Sequence, residues 1–217
     1  MSDLFYSSVL TLQEQLELLD KDMLKFAKNL GYTKRKLPLV FGDDKYINNN
    51  VLLVMPPFSD GRHSEANVRR KNEGKRLKIK KHFEGNEFDL LYEILESYEI
   101  SNWFITYSHL VPLERHTKNG VKQFACWIAK LIEIIGPKLI IAMGEDAQLS
   151  FVKKKYILRD YHGKKITDHN GIPVLLTYPM SYYIDRSSYE DPSYKEFIMN
   201  LDWDLLRKEY ERRIKCQ

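Results

Sequence analysis

Four short, largely apolar runs constrain this chain more than any other feature. Val51-Leu-Leu-Val54, Trp103-Phe-Ile-Thr106, Lys138-Leu-Ile-Ile-Ala142 and Val174-Leu-Leu-Thr177 are too short for helices. They also lack the alternation of polar and apolar residues that a strand with one wet face requires. Such runs read as strands buried on both faces, and strands of that kind belong to parallel sheets covered by helices.

The intervening segments supply those helices. Thr11 and Glu14 have the spacing of a capping box, and Leu12, Leu16, Leu19, Met23, Leu24 and Phe26 follow at helical intervals up to Gly31. Phe88, Leu90, Leu91, Ile94 and Leu95 predict a second helix. A third runs from Val121 to Ile135 and is ended by Gly136-Pro137, and a last one extends from about Ser193 to Arg213 with Trp203 on its apolar face. The expected fold is α/β: three layers, α/β/α, around a central, mostly parallel sheet of four strands. Residues 1–50 are expected to form an N-terminal helical extension packed on the core, and residues 51–217 the α/β domain. In open parallel sheets ligands bind beyond the carboxyl ends of the strands, so the loops at 55–61, 106–116, 143–146 and 177–186 should line a site.

Charge decides which partners that site suits. The net charge is only +4, but residues 62–81 hold nine Lys or Arg against two Glu, with little apolar content. Arg69, Arg70, Lys71, Lys75, Arg76, Lys78, Lys80 and Lys81 could each pair with a phosphate, giving salt-sensitive, sequence-independent binding to DNA. The run is otherwise an ordinary solvated loop. Tyr178, Tyr182, Tyr183 and Arg186 add aromatic and basic groups suited to stacking on a strand. Cys126 and Cys216 are far apart and have no companion at metal-ligand spacing, so neither a metal nor a cofactor is expected. No apolar run reaches the ~18 residues a membrane span needs. The N-terminus does not read as a secretory signal, and a cytoplasmic location is expected.

The order of motifs resembles the uracil-DNA glycosylase superfamily, most closely its thermophile-type branch. The resemblance runs through VLLVMPPFSDG, HFEGNEFDLLYEIL, WFITYSHLVPLERH, IIGPKLIIAMGEDAQ and GIPVLLTYPMSYYI, from about Val51 to Arg207. It implies a pocket that holds a flipped uracil by stacking on a Phe and by an Asn that reads its polar edge. It also implies an acid or Asn that positions water, a His that steadies the departing base and a Ser on a phosphate.

Carried over residue by residue, Phe83 matches the stacking Phe and Ser181 the phosphate-binding Ser. Tyr107 stands where the Asn belongs, and Pro56 stands in place of the acid. Tyr178 or Pro179 replaces the His, depending on how the loop is aligned. The branch's iron–sulfur cysteines are absent. Each such loss removes a group typically worth about 10²–10³ in rate.

Three functions are compatible with this pattern. The first is a DNA-binding protein of this fold with lost or strongly reduced base excision. It would act in replication or repair as an accessory subunit alongside a replication or repair protein, and its composition would suit a viral or phage source. The second is an active, divergent glycosylase in which Asp60 or His109 has taken over catalysis. The third is a protein-interaction module without DNA binding. His116, His162 and His169 are read as surface or hydrogen-bonded histidines.

Overall fold

The computed structural model describes residues 10–29, 50–56, 86–108, 118–153, 156–184 and 191–215. Five strands form one sheet: β1 (Val51–Met55), β2 (Trp103–Tyr107), β3 (Leu139–Met143), β4 (Lys164–His169) and β5 (Ile172–Thr177). Their order is β2-β1-β3-β5-β4. The first four in that order run parallel, in register from Val51 opposite Trp103 and Leu139, and from Ile140 opposite Val174. Every residue of β1 and β3 is buried, as unbroken apolar runs demand of interior strands.

The three-layer class stands, but the sheet has five strands rather than the four expected. The fifth, β4, pairs antiparallel with β5 at the sheet edge. Only Ile166 is buried in it, and Lys164, Lys165 and Asp168 face solvent, so it carries no apolar run to betray it. A different signal was present. Asn170-Gly171 joins β4 to β5, both residues have positive φ (51° and 82°), and such a pair makes the tight turn of a two-residue hairpin.

The helices follow from the strand order. The chain leaves β1 towards β2 on one side, then returns past β1 to reach β3 on the other. Right-handed crossovers in opposite directions put their helices on opposite faces. The first crossover carries α2 (Asn86–Ser97) and the second α3 (Lys118–Ile135). Phe88, Leu91 and Leu95 of α2 and Phe124, Ile128, Leu131 and Ile132 of α3 are buried against the sheet core. On α3, Gly136 takes φ 62° to end the helix, and its amide donates to the Ile132 carbonyl at 2.8 Å.

The N-terminal helix α1 (Leu12–Asn29) packs on α3. Phe26 meets Phe124 edge-on at 5.7 Å and Trp127 at 5.4 Å, and Leu19 and Met23 join the core. The capping box forms: the Thr11 amide donates to Glu14 Oε2 at 2.7 Å, and the Glu14 amide to Thr11 Oγ1 at 3.3 Å. Beyond β3 and β5 come the short helices α4 (Gly144–Ala147), α5 (Leu158–Tyr161) and α6 (Met180–Ile184), then the long α7 (Pro192–Tyr210). Asp191 caps α7 by accepting the Ser193 amide at 2.8 Å, with Pro192 in the first turn. α6 touches both α2 and α7, which builds the layer opposite α1 and α3. Among the described residues no helix is long and apolar enough to cross a membrane.

One half-buried group on α1 works against the fold. Asp20 Oδ1 is buried without a hydrogen-bond partner among the described residues, and burial together with the charge of Glu17 pushes its carboxyl up to about 6 from 3.8. The folded state therefore prefers the protonated acid, and that preference is lost as pH rises through about 6. Asp20→Asn should stabilise the protein by about 1 kcal/mol at pH 7.5, a figure discounted for partial exposure, and do little near pH 4. Urea denaturation of both proteins at the two pH values measures the difference.

Candidate functional site

The sheet has one topological switch point, between β1 and β3, where the chain leaves the strand ends in opposite directions. Pro56 follows β1 directly and Gly144 follows β3. Gly144 takes φ 85°, and a Cβ built there would lie 3.4 Å from Pro56 Cγ and 3.5 Å from both Cβ and Cδ of Pro179. The exits of β1, β3 and β5 therefore meet, with two proline rings against one glycine. Neither ring offers a side-chain donor or acceptor, so this convergence is apolar where it is tightest.

β2 ends alongside. Its last residue, Tyr107, is 2% exposed, and burial pushes its phenol well above the usual range, with the charges of Glu87 and Tyr92 adding to the effect. The Ser108 amide donates to the Met55 carbonyl at 2.9 Å, tying the β2 exit to that of β1. The hydroxyls of Thr106 and Ser108 are buried without a hydrogen-bond partner among the described residues.

The loop after β5 turns into α6. Tyr178, Pro179, Ser181 and Tyr182 are half-buried there. The rings of Tyr178 and Tyr182 stack at 4.2 Å with 19° between planes, and Lys195 Nζ of α7 lies 5.1 Å from the Tyr182 ring centre. Tyr183, the next residue, points its hydroxyl elsewhere, at Asp202.

Asp202 is the group that sequence reasoning missed. It lies on α7 between Ile198 and Leu206, on the buried face, and is 0% exposed. Its Oδ2 accepts from Thr177 Oγ1 at 2.8 Å and from the Tyr183 hydroxyl at 3.1 Å, while Oδ1 lies 2.5 Å from His162 Nδ1. Burial and the Asp202 charge push the Tyr183 phenol well up. A carboxylate at the i+4 position of an apolar stripe was legible as an oddity. Its partner was not, because His162 arrives only through β4.

The antiparallel pairing sets Lys164 opposite Leu176, and the Gly163 amide donates to the Leu176 carbonyl at 2.7 Å. The start of β4, and His162 just before it, thus stand at the carboxyl end of β5. Upstream, the fully buried Gln148 holds both backbone groups of Tyr156, donating to its carbonyl at 2.9 Å and accepting its amide at 2.7 Å. The His162 ring centre lies 5.3 Å from that of Tyr178. The expectation of a hydrogen-bonded histidine holds for His162, although it is largely buried. His169 lies at the opposite end of β4, edge-on to Phe151 at 5.9 Å. Cys126 is exposed on α3.

The structure thus gathers Pro56, Tyr107, Tyr178, Pro179, Ser181 and Tyr182 at one edge of the sheet. Phe83, Asp60, His109 and His116 lie outside the described residues, as do Arg69, Arg70, Lys71, Lys75, Arg76, Lys78, Lys80, Lys81 and Arg186.

Comparison with known proteins adds a family. The model described as the uracil DNA glycosylase superfamily matches residues 21–201, a span that begins within α1 and ends on α7. Among curated proteins no match was found.

The network makes one backbone position sensitive. A Cβ on Gly163, at φ 69°, would lie 2.7 Å from Leu205 Cδ1 and 3.2 Å from Asp202 Oδ1. At Gly171, φ 82°, the same atom would meet nothing within 4 Å. Gly171→Ala should cost only the left-handed backbone, about 1–2 kcal/mol. Gly163→Ala should cost about 1 kcal/mol more, because the exposed Leu205 side chain must swing aside and Asp202 Oδ1 must give slightly. Paired urea denaturation curves give both values.

Proposed function

Because this chain belongs to the uracil-DNA glycosylase superfamily, we propose that it is a DNA-binding protein in which uracil excision is lost or strongly reduced. The observation that carries this reading is the convergence of Pro56 and Pro179 on Gly144, each with ring atoms within 3.5 Å of where a Cβ on that glycine would stand. Glycosidic bond cleavage needs a group that positions water and a donor that steadies the leaving base. Two apolar rings supply neither. Tyr107 adds to the case, since it is 2% exposed and a phenol cannot offer the paired donor and acceptor of an amide. With each such group worth about 10²–10³ in rate, losing the acid, the amide and the imidazole together leaves little excision.

Retained DNA binding is supported by the superfamily itself and by sequence features that the loss of catalysis does not touch. Those are the basic run at residues 62–81, Ser181, and the Tyr178–Tyr182 stack at the ligand edge of the sheet. Stacking on aromatic side chains is tolerant of sequence, and phosphate pairing is salt-sensitive. An accessory role in DNA replication or repair follows, in which the protein marks or holds a strand.

A single uracil-containing oligonucleotide tests both halves. Binding is expected at low salt, with log affinity falling against log salt at a slope of about −3 or steeper, and with no free uracil released at stoichiometric protein. Stoichiometric release of uracil would overturn the loss of excision. Absence of binding at low salt would overturn the DNA-binding reading and favour a protein partner.

A further inference from the structure

We propose that the outer face of α7 is a dimer interface, on which a second copy of this chain docks antiparallel about a two-fold axis at Leu201. The inference goes beyond the DNA-binding reading and does not depend on it.

A helix on the outside of a layered fold needs one apolar stripe, the one it turns to the core. α7 has two. Trp203, Leu206 and Tyr210 join the buried core. Tyr194, Phe197, Leu201 and Leu205 lie on another side of the same helix and are all exposed, Phe197 to 61%. Among the described residues, half of the large apolar side chains left exposed are these four. Two others, Ile157 and Tyr161, belong to the start and end of α5. The stripe runs on towards them, since Leu205 Cδ1 stands beside Gly163, two residues after Tyr161. The four side chains on α7 offer roughly 400 Å² on each copy, the size at which an exposed apolar patch marks an interaction site.

Spacing identifies the occupant. The seam passes through Tyr194, Phe197, Leu201, Leu205 and Lys208 in steps of three, four, four and three residues. Steps of three and four are those of a helix packed lengthwise on another helix. This series also reads the same in both directions, with Leu201 at its centre. A second copy lying antiparallel therefore sets Leu201 against Leu201, Phe197 against Leu205 and Tyr194 against Lys208, and no apolar position is left unmatched.

Charge fixes the direction. Lys208 is exposed near the carboxyl end of α7, with Arg212 one turn further on, where it also holds Glu209 at 2.6 Å. Asp191 is exposed at the amino end. Antiparallel pairing brings each basic end to the acidic end of the other copy and sets the two helix dipoles head to tail. It also lays the Lys208 ammonium beside a Tyr194 ring, which attracts it. Parallel pairing would instead face Lys208 with Lys208, at a cost.

The test is sedimentation velocity of the full chain, freed of nucleic acid, from about 1 to 200 µM, the range in which a small specific interface associates. A monomer–dimer equilibrium with a micromolar Kd is expected. Leu201→Glu sets two carboxylates against each other on the axis and should weaken the dimer by about tenfold or more, as should Phe197→Glu. Leu18→Glu, at an equally open apolar position on α1, should leave Kd unchanged. A chain that stays monomeric at the highest concentration would overturn the inference and leave the stripe to a different protein. A dimer that survives both α7 substitutions, or that Leu18→Glu breaks, would overturn it as well. Should the α7 variants fail to fold, cross-linking decides, in a background of Cys126→Ser and Cys216→Ser. A short bis-maleimide should join Phe197→Cys chains to Leu205→Cys chains in a mixture more readily than it joins either to its own kind. Equal joining of like and unlike chains overturns the antiparallel pairing.

Discussion

All five residues of β1 are buried, and so are all five of β3, which pairs with it. A pair of strands with no face to solvent requires a helical layer above and another below, and parallel pairing requires crossovers long enough to contain them. The remaining architecture follows from meeting both conditions. α2 covers one face, α3 covers the other, and α1 is recruited over α3 through Phe26. The same requirement puts the two strand exits side by side at the switch point, so the site is a consequence of how the core is covered.

At that edge the molecule uses two different solutions to close its surface. Around Gly144 it brings two apolar rings, Pro56 and Pro179, close enough that a Cβ on the glycine would touch both. One strand further on it buries a carboxylate instead. Asp202 costs desolvation that three donors offset, and those donors come from β5, from α6 and from the turn before β4. A single oxygen pair thus joins α7 to the last strand, the stacked tyrosines' helix and the edge hairpin. Removal of any one partner would leave a buried carboxyl oxygen short of a hydrogen bond, which is why such a network holds its members in place.

Membership of a catalytic superfamily and the chemistry of this edge point in different directions, and the difference is informative. The fold supplies a ligand-binding edge whatever residues occupy it, while excision depends on a few polar groups held in place. Pro56 and Pro179 stand at that edge without disturbing the fold, and neither ring carries a side-chain donor or acceptor. DNA binding draws on dispersed groups such as phosphate-pairing cations and aromatic faces, and it tolerates the loss of any one of them. A chain of this kind can lose one function and keep the other.

Much of this was local in the sequence. The interior strands were legible because a strand buried on both faces must be apolar throughout, and helix ends such as Thr11-Glu14 and Gly136-Pro137 are set by residues within one turn. The positions of Pro56, Tyr107 and Pro179 at one sheet edge also followed, since each stands directly after or at the end of a recognisable strand. β4 escaped because a half-exposed edge strand has no continuous apolar run, although Asn170-Gly171 encodes its turn locally. The pairing of His162 with Asp202 could not have been read at all. The two are forty residues apart, and they meet only because an antiparallel strand returns the chain to the carboxyl end of β5 while α7 carries its one buried carboxylate past the same point. Apolar pattern and turn chemistry are properties of neighbours in sequence, whereas a hydrogen-bonded charge pair is a property of neighbours in space, and only the packed sheet brings those together.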